Sequence, residues 1–380
     1  MEKDITYVGM DVHKDTIAVS YARGDSRPQG WGVIPNKVNV VLKTLRKLGS
    51  FDRVYCCYEA GPCGYVLYRK LTEAGIRCIV VAPSLIPQKP GDRVKTDRRD
   101  AGELASLLRS GDLSPVWVPD VEHEGLRDLT RAREAARRDL QRHRNQVSKF
   151  LLRLGVYPPD GVKNWSHGYW KWIEALQLPT VAQGLVLREQ LQAVRQAEEL
   201  VGRLEAEIEQ AIEKSPLAKT VSELQALKGV KLLTAATLVA ELGEISRFQS
   251  ARELMGYSGL VCSESSSAGK VRRGSLTKAG NAVVRWVVVE AAHHYRHLPK
   301  VSLDLKKRQE GCSETAKGIA WKAQGRLNRR YRRLSGRGLP TPKVVAAVAR
   351  ELLGFVWAIA RLANGEPVAS GEEQAATAAA

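Results

Sequence analysis

Several common protein classes are excluded by what this sequence lacks. Its six cysteines (Cys56, Cys57, Cys63, Cys78, Cys262 and Cys312) form no CxxC pair and have no histidine at zinc-ligand spacing. Neither a disulfide framework nor a zinc site is expected, and cysteines in apolar segments read as small hydrophobes. No apolar run reaches the ~20 residues of a membrane span. The nearest, Val344–Leu362, is broken by Arg350, Glu351 and Arg361. No GxxxxGKS or GxxxxGKT phosphate loop occurs. The opening MEKDITYVGMD runs from charge straight into a strand pattern, so no secretory leader and a cytoplasmic location are expected. Acids are scarce in one stretch: Lys270–Arg350 holds 20 Lys or Arg against four acids, net +16 of the +18 carried by the chain. Such an excess points to a polyanion partner, because phosphate neutralisation dominates nucleic-acid affinity. It names a partner class and no reaction.

What is present has a readable order. A length of 380 residues implies two or three domains at about 100–200 residues each. Strand patterns at Ile5–Val12, Thr16–Tyr21 and Trp31–Val33 precede a helix at Val38–Leu48. A strand at Val54–Glu59, a helix at Val66–Ala74 and a strand at Cys78–Val81 follow. Thr96–Arg109 then reads as a helix capped by Thr96, with acids in its first turn. This order predicts a mixed α/β sheet domain over 1–120. Residues 121–220 read as basic and helical, with Leu187, Leu191, Val194, Ala197, Val201, Leu204, Ile208 and Ile212 spaced as in a coiled coil. Residues 221–365 are expected to be all-α, and 366–380 a disordered tail.

Four carboxylates stand out. Asp11 ends the apolar strand YVGMD, and Glu59 ends VYCCYE just before Ala-Gly-Pro. Asp97 and Asp100 are three apart at a helix start, so they share a face. Each alone fits a turn or the helix dipole. Together, at strand ends and on a nearby helix, they fit a metal site, since gathered like charges need a cation. An oxygen set favours Mg²⁺ or Mn²⁺, and such ions can clamp the attacking and leaving oxygens of a phosphoryl transfer.

These residues resemble a family. YVGMDVHKD around Asp11, YEAGPCG around Glu59 and VKTDRRDAGELA around Asp97 and Asp100 resemble the DEDD transposases of bacterial insertion sequences, relatives of the Piv-type DNA invertases. The resemblance implies an RNase-H/RuvC-like fold for the N-terminal domain.

A second block lies further on. LKGVKLLTAATLVAELG (227–243) resembles a helix-hairpin-helix element, whose turn at Gly229 can present backbone N–H groups to a DNA phosphate. Ser258, Ser263, Ser265, Ser266 and Ser267 crowd ten residues, a composition typical of a polar loop. Lys270, Arg272, Arg273 and Lys278 flank it and could hold a phosphate. In the DEDD transposases the corresponding block carries a nucleophilic serine after a GLxP turn. That resemblance assigns the role to Ser267, with Ser266 an alternative because Cys262 and Ala268 replace the family's usual Pro and Gly.

The resemblance implies serine attack on a DNA phosphodiester, a phosphoserine intermediate, and direction by a structured guide (bridge) RNA. The helix Arg127–Arg153 and the run with Arg326, Arg329, Arg330, Arg332 and Arg333 are candidate phosphate tracks. Exchange between two duplexes implies a homodimer or homotetramer. Two competing readings are a RuvC-like metal nuclease without serine chemistry and a non-catalytic nucleic-acid-binding protein.

Overall fold

The computed structural model describes residues 5–87, 96–267 and 270–366 and divides the chain into two units, 1–119 and 120–380. The first unit is built on strands β1 (Thr6–Val12), β2 (Thr16–Arg23) and β3 (Gln29–Pro35), followed by helix α1 (Val38–Leu48). Strand β4 (Val54–Glu59), helix α2 (Val66–Glu73), strand β5 (Arg77–Val81) and helix α3 (Asp97–Ser110) complete it. The sheet order is β3-β2-β1-β4-β5. β1, β2 and β3 meander antiparallel, while β4 and β5 run parallel to β1. This is the mixed α/β sheet domain expected from the sequence, and it is compatible with an RNase-H-type fold. Val8, Met10, Val54, Cys56 and Tyr58 form its core with Leu45 of α1 and Leu71 of α2. On the opposite face Cys57 and Val81 pack against Leu104 and Leu108 of α3.

Helix α3 sits very close to the sheet, and Gly9 permits it. A Cβ on Gly9 would strike the Ala101 carbonyl oxygen and lie 2.5 Å from the Ala105 nitrogen. Thr96 caps α3 by accepting from the Arg99 N–H, as its sequence position predicts. At the other end Arg109 donates to the carbonyls of Gly24 and Ser26 in the β2–β3 turn. The first turn of α3 is thereby fixed over the end of β1.

The second unit comprises α4 (Val121–Arg153), α5 (His167–Glu174), α6 (Val181–Glu213), α7 (Ala218–Leu224), α8 (Leu232–Leu242) and α9 (Ala251–Tyr257). Strands β6 (Cys262–Ser267) and β7 (Lys270–Leu276) form a hairpin, and α10 (Ala282–Ala292), α11 (Leu303–Gln309), α12 (Glu314–Gly336) and α13 (Thr341–Ala363) follow. The apolar run 344–362, too charged for a membrane span, is the buried α13 around which α7, α9, α10 and α12 gather. No helix of the described residues is long and apolar enough to cross a membrane.

One expectation needs correction. The C-terminal part is not all-α, because the serine-rich segment read as a loop forms the β6–β7 hairpin. Its strands pair Ser267 with Lys270, Ser265 with Arg272 and Glu264 with Arg273. Polar, Ser- and Val-containing strands stay half-hidden from a hydrophobic pattern when neither face is buried. The coiled-coil stripe of α6 finds its partner within the chain, in α4. Arg133 pairs with Glu205 and Arg144 with Glu198, so the helices run antiparallel. Leu187, Leu191 and Val194 are buried with Val147, Phe150 and Leu151 of α4 and with Tyr169 and Ile173 of α5. Most of the tail read as disordered, 367–380, lies outside the described residues.

Candidate functional site

In the first unit, pairing between β1 and β4 ends at Met10 and Tyr58, so Asp11 and Glu59 occupy the same end of two adjacent parallel strands. Each is still registered on its other side, Asp11 with Ala18 of β2 and Glu59 with Val81 of β5, so the sheet itself sets both carboxylates at this edge. The Tyr58 hydroxyl, buried beneath this edge, donates to Gly64 O at 3.1 Å and accepts from Tyr68 N, fixing the chain exit after Glu59. α3 delivers Asp97 and Asp100 in its first turn, where the helix dipole favours acids.

Asp11 and Asp97 do converge, but on a residue outside the four expected carboxylates. His13 Nε2 lies 3.1 Å from Asp11 Oδ2 and 3.7 Å from Asp97 Oδ2. Among the described residues, the side-chain ligand atoms of Asp11, His13 and Asp97 lie within 4.8 Å of one another. Glu59 and Asp100 do not belong to this trio. His13 stands one residue past the end of β1, where the turn back to β2 brings its ring beside Asp11. The backbone holds His13 in place: its N–H donates to Thr16 O, and Asn36 Nδ2 donates to His13 O at 2.8 Å. Side-chain exposure climbs from 17% at Asp11 through 53% at His13 to 63% at Asp97, leaving the outer side open to a large substrate.

The second unit presents the serine segment on a rigid base. Thr277 N donates to Val261 O, Lys278 N to Gly259 O and Asn281 N to Tyr257 O. Arg285 Nη1 adds a bond to Ser258 O at 2.8 Å. Gly259 and Gly280 interlock here with positive φ of 67° and 82°. A Cβ on Gly259 would lie 2.8 Å from Ala279 N, and one on Gly280 would lie 2.9 Å from the Tyr257 carbonyl carbon. Buried Ser258 donates to Met255 O, and Ser263 donates to Ser275 O. Ser266 and Ser267 are the last two residues of β6, at the outer end of the hairpin.

The flanking cations divide. Arg272, Arg273 and Lys278 are exposed, Arg273 with Glu264 at 3.8 Å, and Lys278 adopts a positive φ of 53° at the hairpin exit. Lys270 opens β7 directly opposite Ser267 on the ladder. On α12, Arg329, Arg332 and Arg333 are exposed. Arg326 and Arg330 instead turn inward to Glu351, at 2.9 and 3.2 Å. The turn between α7 and α8 holds Gly229 at φ 84°, where a Cβ would lie 2.6 Å from Ala291 O.

Beneath the hairpin, Glu241 of α8 is fully buried. Arg131 Nε and Nη2 reach its carboxylate at 2.6 and 3.0 Å, and Asn281 Nδ2 donates to it at 2.7 Å. Asn281 also caps α10 by accepting from Val283 N and Val284 N. No sequence pattern marked Glu241.

Comparison with known proteins agrees with this two-part layout. Residues 8–156 match the profile of the DEDD transposases of the IS110 type, described as "Transposase". Residues 221–304 match the profile described as "Transposase IS116/IS110/IS902 family". The chain is 44% identical to the y4qE protein of Sinorhizobium fredii over 94% of its own length and 89% of that protein. It is 32% identical to the transposase for insertion sequence element IS1533 of Leptospira borgpetersenii, over 86% of this chain and 96% of that one. The pilin gene-inverting protein of Moraxella bovis is 26% identical over 45% of this chain and 44% of its own.

Proposed function

Because this chain belongs to the IS116/IS110/IS902 family of transposases, we propose that it performs serine-mediated DNA strand exchange supported by a divalent metal centre. The observation that carries the metal reading is the convergence of Asp11, His13 and Asp97 within 4.8 Å at the sheet edge. Ligand separations of 3.1 and 3.7 Å fit neighbouring positions around an ion bound at about 2.0–2.1 Å. Asp11, His13 and Asp97 would hold it, with Glu59 and Asp100 as further oxygen donors. The imidazole tilts the set from Mg²⁺ toward Mn²⁺. Such an ion would withdraw charge from phosphoryl oxygens and favour an ionised attacking hydroxyl.

Ser267 attacks a DNA phosphodiester, with Ser266 the second candidate. Its Oγ–P bond forms as the bond from phosphorus to a sugar oxygen breaks, and the serine proton ends on that sugar oxygen. Attack by a sugar hydroxyl of the incoming strand reverses the step and regenerates the serine. The ester retains the bond energy, so no nucleotide hydrolysis is required. Lys270, Arg272, Arg273 and Lys278 neutralise the reacting phosphate. In this reading residues 1–120 form the metal-holding domain, 121–220 a basic helical region and 221–365 the serine domain. The Gly229 turn ahead of α8 contributes backbone N–H groups to a phosphate, as in a helix-hairpin-helix. The exposed arginines of α12 and the basic face of α4 bind the phosphates of DNA and of a structured guide RNA. The active form is a homodimer or homotetramer, because two duplexes are exchanged.

The test incubates the full chain with guide RNA, paired DNA sites and Mn²⁺, and looks for a protein–DNA adduct that survives denaturation. Ser267→Ala is expected to abolish the adduct while DNA binding persists. His13→Ala is expected to weaken Mn²⁺ binding, read by electron paramagnetic resonance, by at least about tenfold. Cleavage that leaves free hydroxyl ends and no adduct would replace the serine reading with a metal nuclease.

A further inference from the structure

The second unit contains a cavity of about 860 Å³ beside the Gly229 turn. Its floor is the turn at Lys228–Gly229 together with α8, and its walls are α10, α11 and the chain joining them. That volume lies within the ~300–1,000 Å³ of pockets that enclose one small ligand, and it is far too small for a duplex.

The lining has two characters. Trp286, Val287, Leu298 and Pro299 offer an apolar wall, and the Arg137 guanidinium stacks 5.1 Å from the Trp286 ring, fixing its plane. Lys228, Lys231, Lys300 and Arg308 bring four cations against two acids, Glu290 and Asp304, while Arg133 in the lining is already paired with Glu205. Asp304 is already shared between Lys231 at 3.7 Å and Arg308 at 3.5 Å. Lys228 Nζ donates to Leu298 O at 3.0 Å and ties the turn to the opposite wall. The surplus is felt by His294, whose pKa is lowered by burial and by neighbouring His297, Lys228, Arg296 and Arg308. An apolar aromatic wall beside a net surplus of cations matches a nucleobase attached to its phosphate.

Position supports the same occupant. α10 begins at the exit of the serine hairpin and carries Trp286 and Glu290 to the cavity. Nine residues of helix from Asn281 to Glu290 span ~13 Å at 1.5 Å per residue, a distance of a few nucleotides along a strand.

We infer that this cavity is a nucleotide subsite that receives one unpaired nucleotide of the DNA strand, its base against Trp286 and its phosphate on Lys231 and Lys300. The inference rests on the DNA strand-exchange reading and adds to it the recognition of a base extruded near the reacting phosphate.

The experiment uses the full chain and two duplexes with one 2-aminopurine, unpaired in a bulge or paired with thymine. The wild type is expected to bind the bulged duplex about tenfold more tightly, with quenched 2-aminopurine fluorescence, as stacking on one aromatic ring would give. Trp286→Leu and the surface change Lys300→Ala should remove that preference while paired-duplex affinity stays within about twofold. Lys300→Ala keeps the test valid if the tryptophan variant does not fold. A preference that persists in Lys300→Ala, or equal losses on both duplexes, would overturn the subsite. Equal or stronger preference for a bulged RNA duplex would overturn its assignment to DNA. Wild-type binding without preference sinks the subsite alone, whereas absence of any duplex binding sinks the strand-exchange reading as well.

Discussion

At the scale of single residues, the first unit depends on a glycine that bears no chemistry. Gly9 lies under α3, and a methyl group there would overlap Ala101 O and approach Leu104 Cβ to 2.9 Å. Backbone cannot yield as a flexible side chain can, so α3 must lift from the sheet and carry Asp97 away from Asp11. Gly9→Ala should therefore destabilise the protein by at least about 1–3 kcal/mol, the usual cost of overpacking. It should also lower Mn²⁺ affinity. Gly102→Ala, in α3 itself, meets nothing nearer than 3.9 Å. It should stabilise α3 by about 0.5–1 kcal/mol, because alanine loses less backbone entropy in a helix. Urea unfolding of both variants compares them directly. A Gly9→Ala chain as stable as wild type would show that α3 does not hold the site in the way described.

At the scale of elements, most of the first unit was legible in the sequence. Helix Val38–Leu48 and strand Val54–Glu59 have the expected bounds, because each shows an uninterrupted period and a clear stop. Asp11 and Glu59 were readable as strand ends for the same reason. His13 was not, since a histidine in a polar turn has no periodicity to mark it. The β6–β7 hairpin escaped because its polar strands carry no hydrophobic period, and the α4–α6 pairing because it depends on a distant partner that local pattern does not encode. The buried Glu241 is a third such case, and it carries a strong energetic consequence. It joins α4, through Arg131, to the Asn281 cap of α10. Removing one partner of a buried ion pair costs about 3–5 kcal/mol, reduced here because Arg131 is half-exposed. Arg131→Ala should thus lose about 2–3 kcal/mol of stability. Glu241→Gln should lose less, since Arg131 can turn to water, and the double variant should recover part of the Arg131→Ala loss. A double-mutant cycle by chemical denaturation measures this coupling. Strictly additive losses would mean that the pair is incidental.

At the scale of the whole molecule, both units carry a positive excess. Residues 1–119 carry 18 Lys or Arg against 13 acids, and residues 120–380 carry 41 against 28. The second unit also spends part of its charge internally, on Glu205, Glu198, Glu241 and Glu351. Net charge therefore overstates the cations free to meet phosphate, and the arginine run of α12 shows how to separate the two pools. Arg329, Arg332 and Arg333 face solvent, whereas Arg326 and Arg330 hold Glu351, whose side chain is only 8% exposed. If the exposed three contact phosphate, replacing one by alanine should reduce the slope of log affinity against log salt by about 1 and leave stability unchanged. Arg326→Ala should do the reverse: the salt slope stays within error, while thermal stability falls because Glu351 loses its nearer partner. Titrations with an unrelated duplex at several salt concentrations, beside melting curves, read both quantities. Equal slope changes for Arg326 and Arg332 would mean that the inward pairs open on binding and that the whole run is one phosphate track.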